Sequence, residues 1–67
     1  MKKIDVRGLS CPEPVLQTMT AVNAGHKEIE VTVDTSVSKE NVSRFLADKG
    51  YTVTVVEDGD FIITGKK

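Results

Sequence analysis

The residue of this sequence best suited to covalent chemistry is Cys11, the only cysteine among 67 residues. It stands between a short strand-like segment ending at Val6 and an apolar pattern at helical spacing that begins at Val15. Gly8 permits a tight turn after the strand, and Pro12 fits the first position of a helix, where an N–H would have no partner. The sequence therefore predicts a thiol at the N-terminus of a helix.

Opposing influences act on the pKa that we expect for the Cys11 thiol. The positive end of the helix dipole and the nearby Arg7 side chain lower this pKa from about 8.5, which favours the nucleophilic thiolate. Pro12 and Pro14 stiffen the first helical turn but remove two amide donors, and the Glu13 carboxylate raises the thiol pKa by charge repulsion. We expect an exposed thiol with a modestly lowered pKa. The alternative is a small buried cysteine without chemistry.

The sequence around Cys11 resembles a known family signature. Residues 5–16 read DVRGLSCPEPVL, which is similar to the Cys-Pro-x-Pro signature of the TusA/SirA-type sulfur-carrier family. The resemblance extends over essentially the whole chain, because the length and the order of elements are those of the family's single domain. Residues 39–45, KENVSRF, more weakly resemble the N-terminal domain of YedF proteins, which are linked to selenium metabolism and usually continue into a C-terminal domain.

This resemblance implies a function for the cysteine. Cys11 would accept sulfane sulfur from a cysteine desulfurase or another sulfurtransferase, carry it as a persulfide and relay it to an acceptor protein. Thiolation of tRNA is one destination in the family, and the YedF-like segment implies selenium or sulfur metabolism as another. Such a carrier acts with partner enzymes and needs no cofactor. The alternative is a non-catalytic regulatory or protein-interaction module, in which Cys11 and the prolines only shape a loop.

Two amphipathic helices are predicted from the spacing of apolar residues. The first covers residues 12–23, the second begins at Ser36 or Ser38 and ends at Lys49, and a glycine follows each helix closely. The residues expected in the core are Val15, Leu16, Met19 and Val22 in the first helix and Val42, Phe45 and Leu46 in the second. The residues expected on the exposed face of the first helix are Gln17, Thr18 and Asn23.

Alternation of apolar and polar residues predicts the strands. The predicted strands cover residues 4–6, 28–34, 51–57 and 61–64, and the inward-pointing residues of the second are Ile29, Val31 and Val33. Asp58 and Gly59 form a strong two-residue hairpin signal. This order predicts an α/β fold, a two-layer βαβαββ sandwich with a mixed four-stranded sheet and both helices on one face. The resemblance implies the same fold for a single TusA-like domain over residues 1–67, with the last strand antiparallel to the others.

A further candidate site residue is Asp34, at the carboxyl end of the second strand. The first two strands are expected to be parallel, because a βαβ unit has a right-handed crossover. Parallel strands end at the same edge of a sheet, which places Asp34 and Thr35 near Cys11. The alternative is that Asp34 only ends its strand and helps to start the next helix. The residues expected to flank or tune Cys11 are therefore Arg7, Gly8, Pro12, Glu13, Pro14 and Asp34.

The composition argues against several classes of function. Nine basic and ten acidic residues give a net charge of −1, which favours neither nucleic acid nor a membrane surface as a direct partner. A single cysteine cannot form an intramolecular disulfide, so we expect the reducing cytoplasm as the compartment. We also expect no signal peptide and no membrane span, because charged residues interrupt the apolar residues that follow Met1.

Cys11 also lacks the partners that other cysteine chemistry requires. Pro14 occupies the position of the second thiol in a Cys-x-x-Cys redox pair. His26 lies beyond the first helix, roughly 20 Å from Cys11 at 1.5 Å per residue, so it cannot act as the base of a Cys/His pair. One cysteine and one histidine do not supply the ligands of a zinc site, and we predict no metal.

The thiol itself provides the first testable prediction. The rate of Cys11 modification by iodoacetamide, measured against pH, should report an exposed thiol whose pKa is at or modestly below the free value. Glu13→Gln should lower this pKa, because it removes a negative charge beside the thiolate. A rate as slow as that of a buried cysteine, or a pKa raised by Glu13→Gln, would contradict the prediction.

Overall fold

A computed structural model describes residues 1–9 and 13–67, so Ser10, Cys11 and Pro12 lie outside the structural description. The elements in chain order are β1 (Lys2–Asp5), α1 (Glu13–Asn23), β2 (Glu28–Val33), α2 (Ser36–Asp48), β3 (Thr52–Asp58) and β4 (Asp60–Lys66). This order confirms the predicted α/β fold of βαβαββ type. The described helices are too short and too polar to cross a membrane.

The four strands form one mixed sheet in the order β1-β2-β4-β3. β1 pairs with β2 in parallel, as the βαβ unit predicts, and β4 lies antiparallel to both β2 and β3. The helices α1 and α2 contact each other, and both contact β2. They therefore cover one face of the sheet, and the carboxyl ends of β1 and β2 meet at one edge.

The core is built on the inner face of β2. Ile29, Val31 and Val33 are fully buried, which confirms the alternation read from the sequence. Ile63 of β4 lies opposite Val31 and is equally buried, and Leu46 of α2 covers the same face. β2 has a paired strand on each side, and the helices cover the face on which its apolar side chains lie. These side chains are therefore shielded from solvent.

The face of α1 that was predicted to be buried is wrong, because the helix is rotated about its axis relative to that prediction. Leu16 is 45% exposed and Met19 is 37% exposed, although both were expected in the core, while Thr18, expected on the surface, is fully buried. The buried stripe consists of Pro14, Thr18 and Ala21, whose spacing of four and three residues also fits a helix. The Thr18 hydroxyl donates a hydrogen bond of 2.8 Å to the carbonyl of Pro14, so its burial leaves no unpaired polar group.

Val15 and Val22 keep part of their predicted role, since both are partly buried and pack against the core. The two valines therefore lie at the flank of the buried stripe of α1. The apolar pattern alone could not distinguish this arrangement, because hydrogen bonding within the helix makes a threonine acceptable in the core.

The second helix begins at Ser36, the earlier of the two predicted starting residues. Thr35 is the N-cap, and its hydroxyl oxygen accepts the N–H of Ser38 at 3.1 Å, so Ser38 is not the cap. Val42 and Leu46 are fully buried as predicted, and Phe45 is half-buried. The core face of α2 and its first residue were therefore predictable, although the capping residue was not.

The hairpin between β3 and β4 turns around Gly59. Asp58 lies opposite Asp60 and Glu57 opposite Phe61, so the register is centred on Gly59 rather than on the predicted pair of residues 58 and 59. Gly59 has a φ of +75°, a conformation that side chains of L-residues disfavour. This register makes Asp60 the first residue of β4.

Two leucines provide a matched test of the helix rotation. Leu46→Ala should lower the free energy of unfolding by about 2–5 kcal/mol, because Leu46 is fully buried and its truncation leaves a cavity. Leu16→Ala should change it by no more than about 0.5 kcal/mol, as expected for a surface position. Urea denaturation of the two variants measures both values. Equal losses would show that Leu16 belongs to the core after all.

Candidate functional site

The chain leaves β1 through a tight turn formed by residues 6–9, which we call the exit turn. Val6 is buried, and its carbonyl accepts the N–H of Leu9 at 3.3 Å. Gly8 has a φ of +80°, as the third residue of a type II turn requires. Within the described ranges 1–9 and 13–67, no atom outside the adjacent residues lies within 4 Å of the position that a Gly8 side chain would take, so the backbone conformation is what favours glycine.

Three successive backbone N–H groups of the exit turn have acceptors. The N–H of Arg7 donates to Asp5 Oδ1 at 3.1 Å, and the N–H of Gly8 donates to Asp34 Oδ2 at 2.9 Å. Leu9 completes the series through its bond to the Val6 carbonyl. The turn that leads towards Cys11 is thus held by its own backbone and by carboxylates at the ends of β1 and β2.

Asp34 therefore lies where the parallel arrangement of β1 and β2 predicted. Its carboxylate bridges from the end of β2 to Gly8 on the neighbouring connection. The capping of α2 is carried out by Thr35 and not by Asp34. Asp34 thus does more than end its strand, and it brings two elements of the predicted site together.

The guanidinium group of Arg7 is bound by two carboxylates. Its Nε and Nη2 donate to the two oxygens of Asp5 at 3.0 and 2.8 Å, and its Nη1 donates to Asp60 Oδ2 at 3.1 Å. The pair with Asp5 is the parallel two-bond arrangement that suits arginine and carboxylate. Arg7 was expected to act as a cation beside the thiolate, and the structure shows that both ends of its guanidinium are already engaged.

These contacts shift the pKa values of both partners. The pKa of Asp5 is lowered from 3.8 to about 2, first by the hydrogen bonds from the Arg7 side chain and then by that from the Arg7 backbone N–H. The hydrogen bonds to Asp5 and then to Asp60 raise the pKa of Arg7 above its ordinary value. The side chains of Arg7 and Asp5 are 51% and 57% exposed, so water screens the attraction between them.

Asp60 is the site residue that sequence reasoning missed. It lies 53 residues from Arg7 in the chain, at the start of β4. No local pattern connects two residues at that separation. The only available signal was an acidic residue next to the predicted hairpin turn, which is common in turns for other reasons.

The remaining predicted site residues lie on the other side of the cysteine in the chain. Glu13 is the first residue of α1 and is exposed, whereas Pro14 is buried and accepts the Thr18 hydroxyl through its carbonyl. Cys11 and Pro12 fall between the exit turn and α1, outside the described residues. The structure therefore describes the chain on both sides of residues 10–12 and brings Arg7, Gly8 and Asp34 together on the N-terminal side.

An open groove of about 370 Å³ lies elsewhere, between β1 and the side of α1. Lys2, Gln17, Thr20 and His26 contribute polar groups to it. It adjoins the exit turn through Asp5, the carboxylate partner of Arg7, although Gly8 and Asp34 are not among its lining residues. Among residues 1–9 and 13–67 no three His, Cys, Asp or Glu side chains are grouped in a way that could hold a metal ion.

Comparison with known proteins assigns the family. The family described as Sulfurtransferase TusA matches residues 2–67 of the chain. The chain belongs to the TusA family. Within this family, it is 46% identical over 61 residues to MJ0990 of Methanocaldococcus jannaschii, named as a candidate sulfur carrier protein, with 87% of this chain and 80% of that protein covered.

The structural comparison agrees with this assignment. The crystal structure of the SirA-like protein DSY4693 from Desulfitobacterium hafniense superposes with a TM-score of 0.88 at 28% sequence identity. The match covers 98% of this chain and 96% of that protein. These similarities confirm the TusA/SirA-type resemblance and the fold expected from it, whereas the YedF-like segment stays a prediction.

The contact between Arg7 and Asp5 provides a test of the site's electrostatics. Arg7→Gln should raise the pKa of Asp5 from about 2 towards 3.8, because it removes the side-chain hydrogen bonds that stabilise the carboxylate. A carboxyl group with a lowered folded-state pKa stabilises the protein above about pH 4, and this contribution is lost as the pH falls towards about 2. The carboxyl carbon of Asp5, followed by NMR against pH, measures the change.

Arg44→Gln is the matched control, because Arg44 is an exposed arginine of α2 outside these contacts. It should leave the pKa of Asp5 at about 2. An Asp5 pKa that stays near 2 in Arg7→Gln, or rises equally in both variants, would show that the Arg7 contact is not its cause.

Proposed function

We propose that Cys11 accepts sulfane sulfur as a persulfide and relays it to an acceptor protein. The observation that carries this proposal is the TusA family match over residues 2–67, within which residues 11–14 read Cys-Pro-Glu-Pro. The name of the archaeal relative supports the same role.

The transfer requires a nucleophile but no external oxidant. The Cys11 thiolate attacks the terminal sulfur of a donor persulfide, a new S–S bond forms at Cys11, and the donor's S–S bond breaks. The donor cysteine leaves as a thiolate, so the numbers of atoms and electrons on the two sides agree. In the second transfer the terminal sulfur passes to the acceptor, and Cys11 returns to the thiolate.

The surroundings of Cys11 suit this chemistry. The cysteine lies two residues before the first residue of α1, so the positive end of the helix dipole favours an anionic sulfur. Pro12 and Pro14 limit the conformations of this segment, and Glu13 opposes an excessive lowering of the cysteine pKa. We assign to Gly8, Arg7 and Asp34 the role of holding the exit turn rather than direct contact with sulfur.

Both transfers also need protein partners. The donor that we propose is a cysteine desulfurase or another sulfurtransferase, and the acceptor belongs to a sulfur pathway such as tRNA thiolation, with selenium metabolism as the variant suggested by the YedF-like segment. Exposed apolar side chains before and after the Cys-Pro-x-Pro segment, Leu9 and Leu16, favour docking of proteins over direct binding of nucleic acid. We place this exchange in the cytoplasm, without a membrane partner.

Intact mass tests the proposal directly. Incubated with a cysteine desulfurase and cysteine, the wild-type chain should gain the mass of one sulfur atom and lose it again on treatment with a thiol reductant. Cys11→Ser should gain none, because the attacking thiolate is absent. The folded state of the variant is checked by circular dichroism.

Uptake by Cys11→Ser at the wild-type level would refute the role of Cys11. Absence of uptake by the wild type from several desulfurases would favour the interaction module instead. In that case, alkylation of Cys11 should leave partner binding intact, whereas a sulfur carrier loses its activity on alkylation.

A further inference from the structure

Asp60 connects the exit turn to β4, the strand on the far side of β2 from β1. It begins β4, which is separated from β1 by β2, and its carboxylate accepts Arg7 Nη1 at 3.1 Å. The Arg7 side chain therefore reaches past the end of β2. This contact joins the connection that leads to Cys11 to the hairpin of β3 and β4.

We propose that Asp60 is a positioning residue for sulfur transfer, acting through Arg7. It fastens the exit turn and so limits the arrangements in which the following segment presents Cys11 to a partner. The effect of Asp60 on sulfur transfer rests on the proposed function, whereas its restraint of the exit turn rests only on the observed contacts.

The two carboxylates on Arg7 have different mechanical effects. Asp5 is the last residue of β1 and lies only two residues before Arg7, so the Asp5–Arg7 pair ties the turn to the strand that it directly follows. Asp60 is the first residue of β4 and pairs with Asp58 of β3, and the next residue, Phe61, is paired with both β2 and β3. Among the described contacts of the Arg7 side chain, the bond to Asp60 is the one that ties the turn to the hairpin of β3 and β4.

A second restraint acts on the next residue. Gly8 is bound by Asp34 at the end of β2, so adjacent residues of the exit turn are held by two different strands. The bonds from the backbone of the turn to the neighbouring strand, from Val6 to the Thr32 carbonyl and from Gly8 to Asp34, both end on or beside β2. The bond from the Arg7 side chain adds a restraint from β4.

This restraint matters because docking requires an ordered segment. A cysteine that is already presented in a productive arrangement reacts faster, since the conformational entropy is lost in folding rather than in the encounter. The Arg7 and Asp60 side chains are 51% and 37% exposed. Exposed ion pairs contribute little, so we expect loss of this one to slow sulfur uptake by about threefold.

Asp60→Ala is the test variant and Asp58→Ala is its matched control. The two aspartates face each other across the hairpin, so either change removes the same repulsion between carboxylates and the same formal charge. Only Asp60→Ala removes an acceptor of Arg7. A difference between the two variants therefore reports the Arg7 contact.

Hydrogen exchange of the Gly8 and Leu9 amides is measured first, without any sulfur donor. Asp60→Ala should accelerate this exchange by about threefold, and Asp58→Ala should leave it unchanged. In an Arg7→Gln background, Asp60→Ala should have no further effect, because its action passes through Arg7. Equal exchange in wild type and Asp60→Ala, or equal acceleration by Asp58→Ala, would overturn the proposal.

Sulfur uptake from a persulfide-loaded cysteine desulfurase is then timed by intact mass. Asp60→Ala should be about threefold slower than wild type and Asp58→Ala, while all three react equally with iodoacetamide, a small reagent that needs no docking. Uptake by Asp60→Ala at the wild-type rate would refute the positioning role. If the wild type itself takes up no sulfur, the proposed function fails, and the exchange rates still decide whether Asp60 fastens the turn.

Discussion

Burial of the inner face of β2 is the constraint on which the rest of the structure depends. A chain of this length has one small core, and Ile29, Val31 and Val33 form its centre. Both helices must cover this face, which fixes the right-handed connection from β1 to β2 and makes those strands parallel. Their carboxyl ends then meet at one edge. The exit turn lies at that edge, because it follows β1 and is bonded to Asp34, which follows β2.

The polar groups at this edge bind one another and so hold the conformation of the exit turn. The backbone N–H groups of Arg7, Gly8 and Leu9 all have acceptors, and the guanidinium of Arg7 is shared between two carboxylates. These N–H groups and the guanidinium are already hydrogen-bonded within the protein and are therefore not free to bind an anion. In the sulfur transfer that we propose, recognition of the partner is therefore assigned to other parts of the surface than these hydrogen-bonded groups.

Local chemistry made much of this predictable. The alternation in β2, the glycines after both helices and the turn at Gly8 follow from properties of a few neighbouring residues. The rotation of α1 was not predictable in this way, because the Thr18 hydroxyl can be buried without remaining unpaired only through its bond to the Pro14 carbonyl. Asp60 could not be assigned, since its contact with Arg7 exists only after the strands have paired. Asp34 was found because strand direction, a topological rule, brought it to the right edge.

The position of Tyr51 gives the molecule a built-in optical reporter. The chain contains one tyrosine and no tryptophan, so this ring dominates its near-ultraviolet absorption and fluorescence. The ring is buried beyond the carboxyl end of α2, and its hydroxyl donates to the carbonyl of His26, which follows α1. Both helices run away from the edge that carries the exit turn, so the fluorophore lies at the far end of the domain. Its signal therefore reports loss of the folded state.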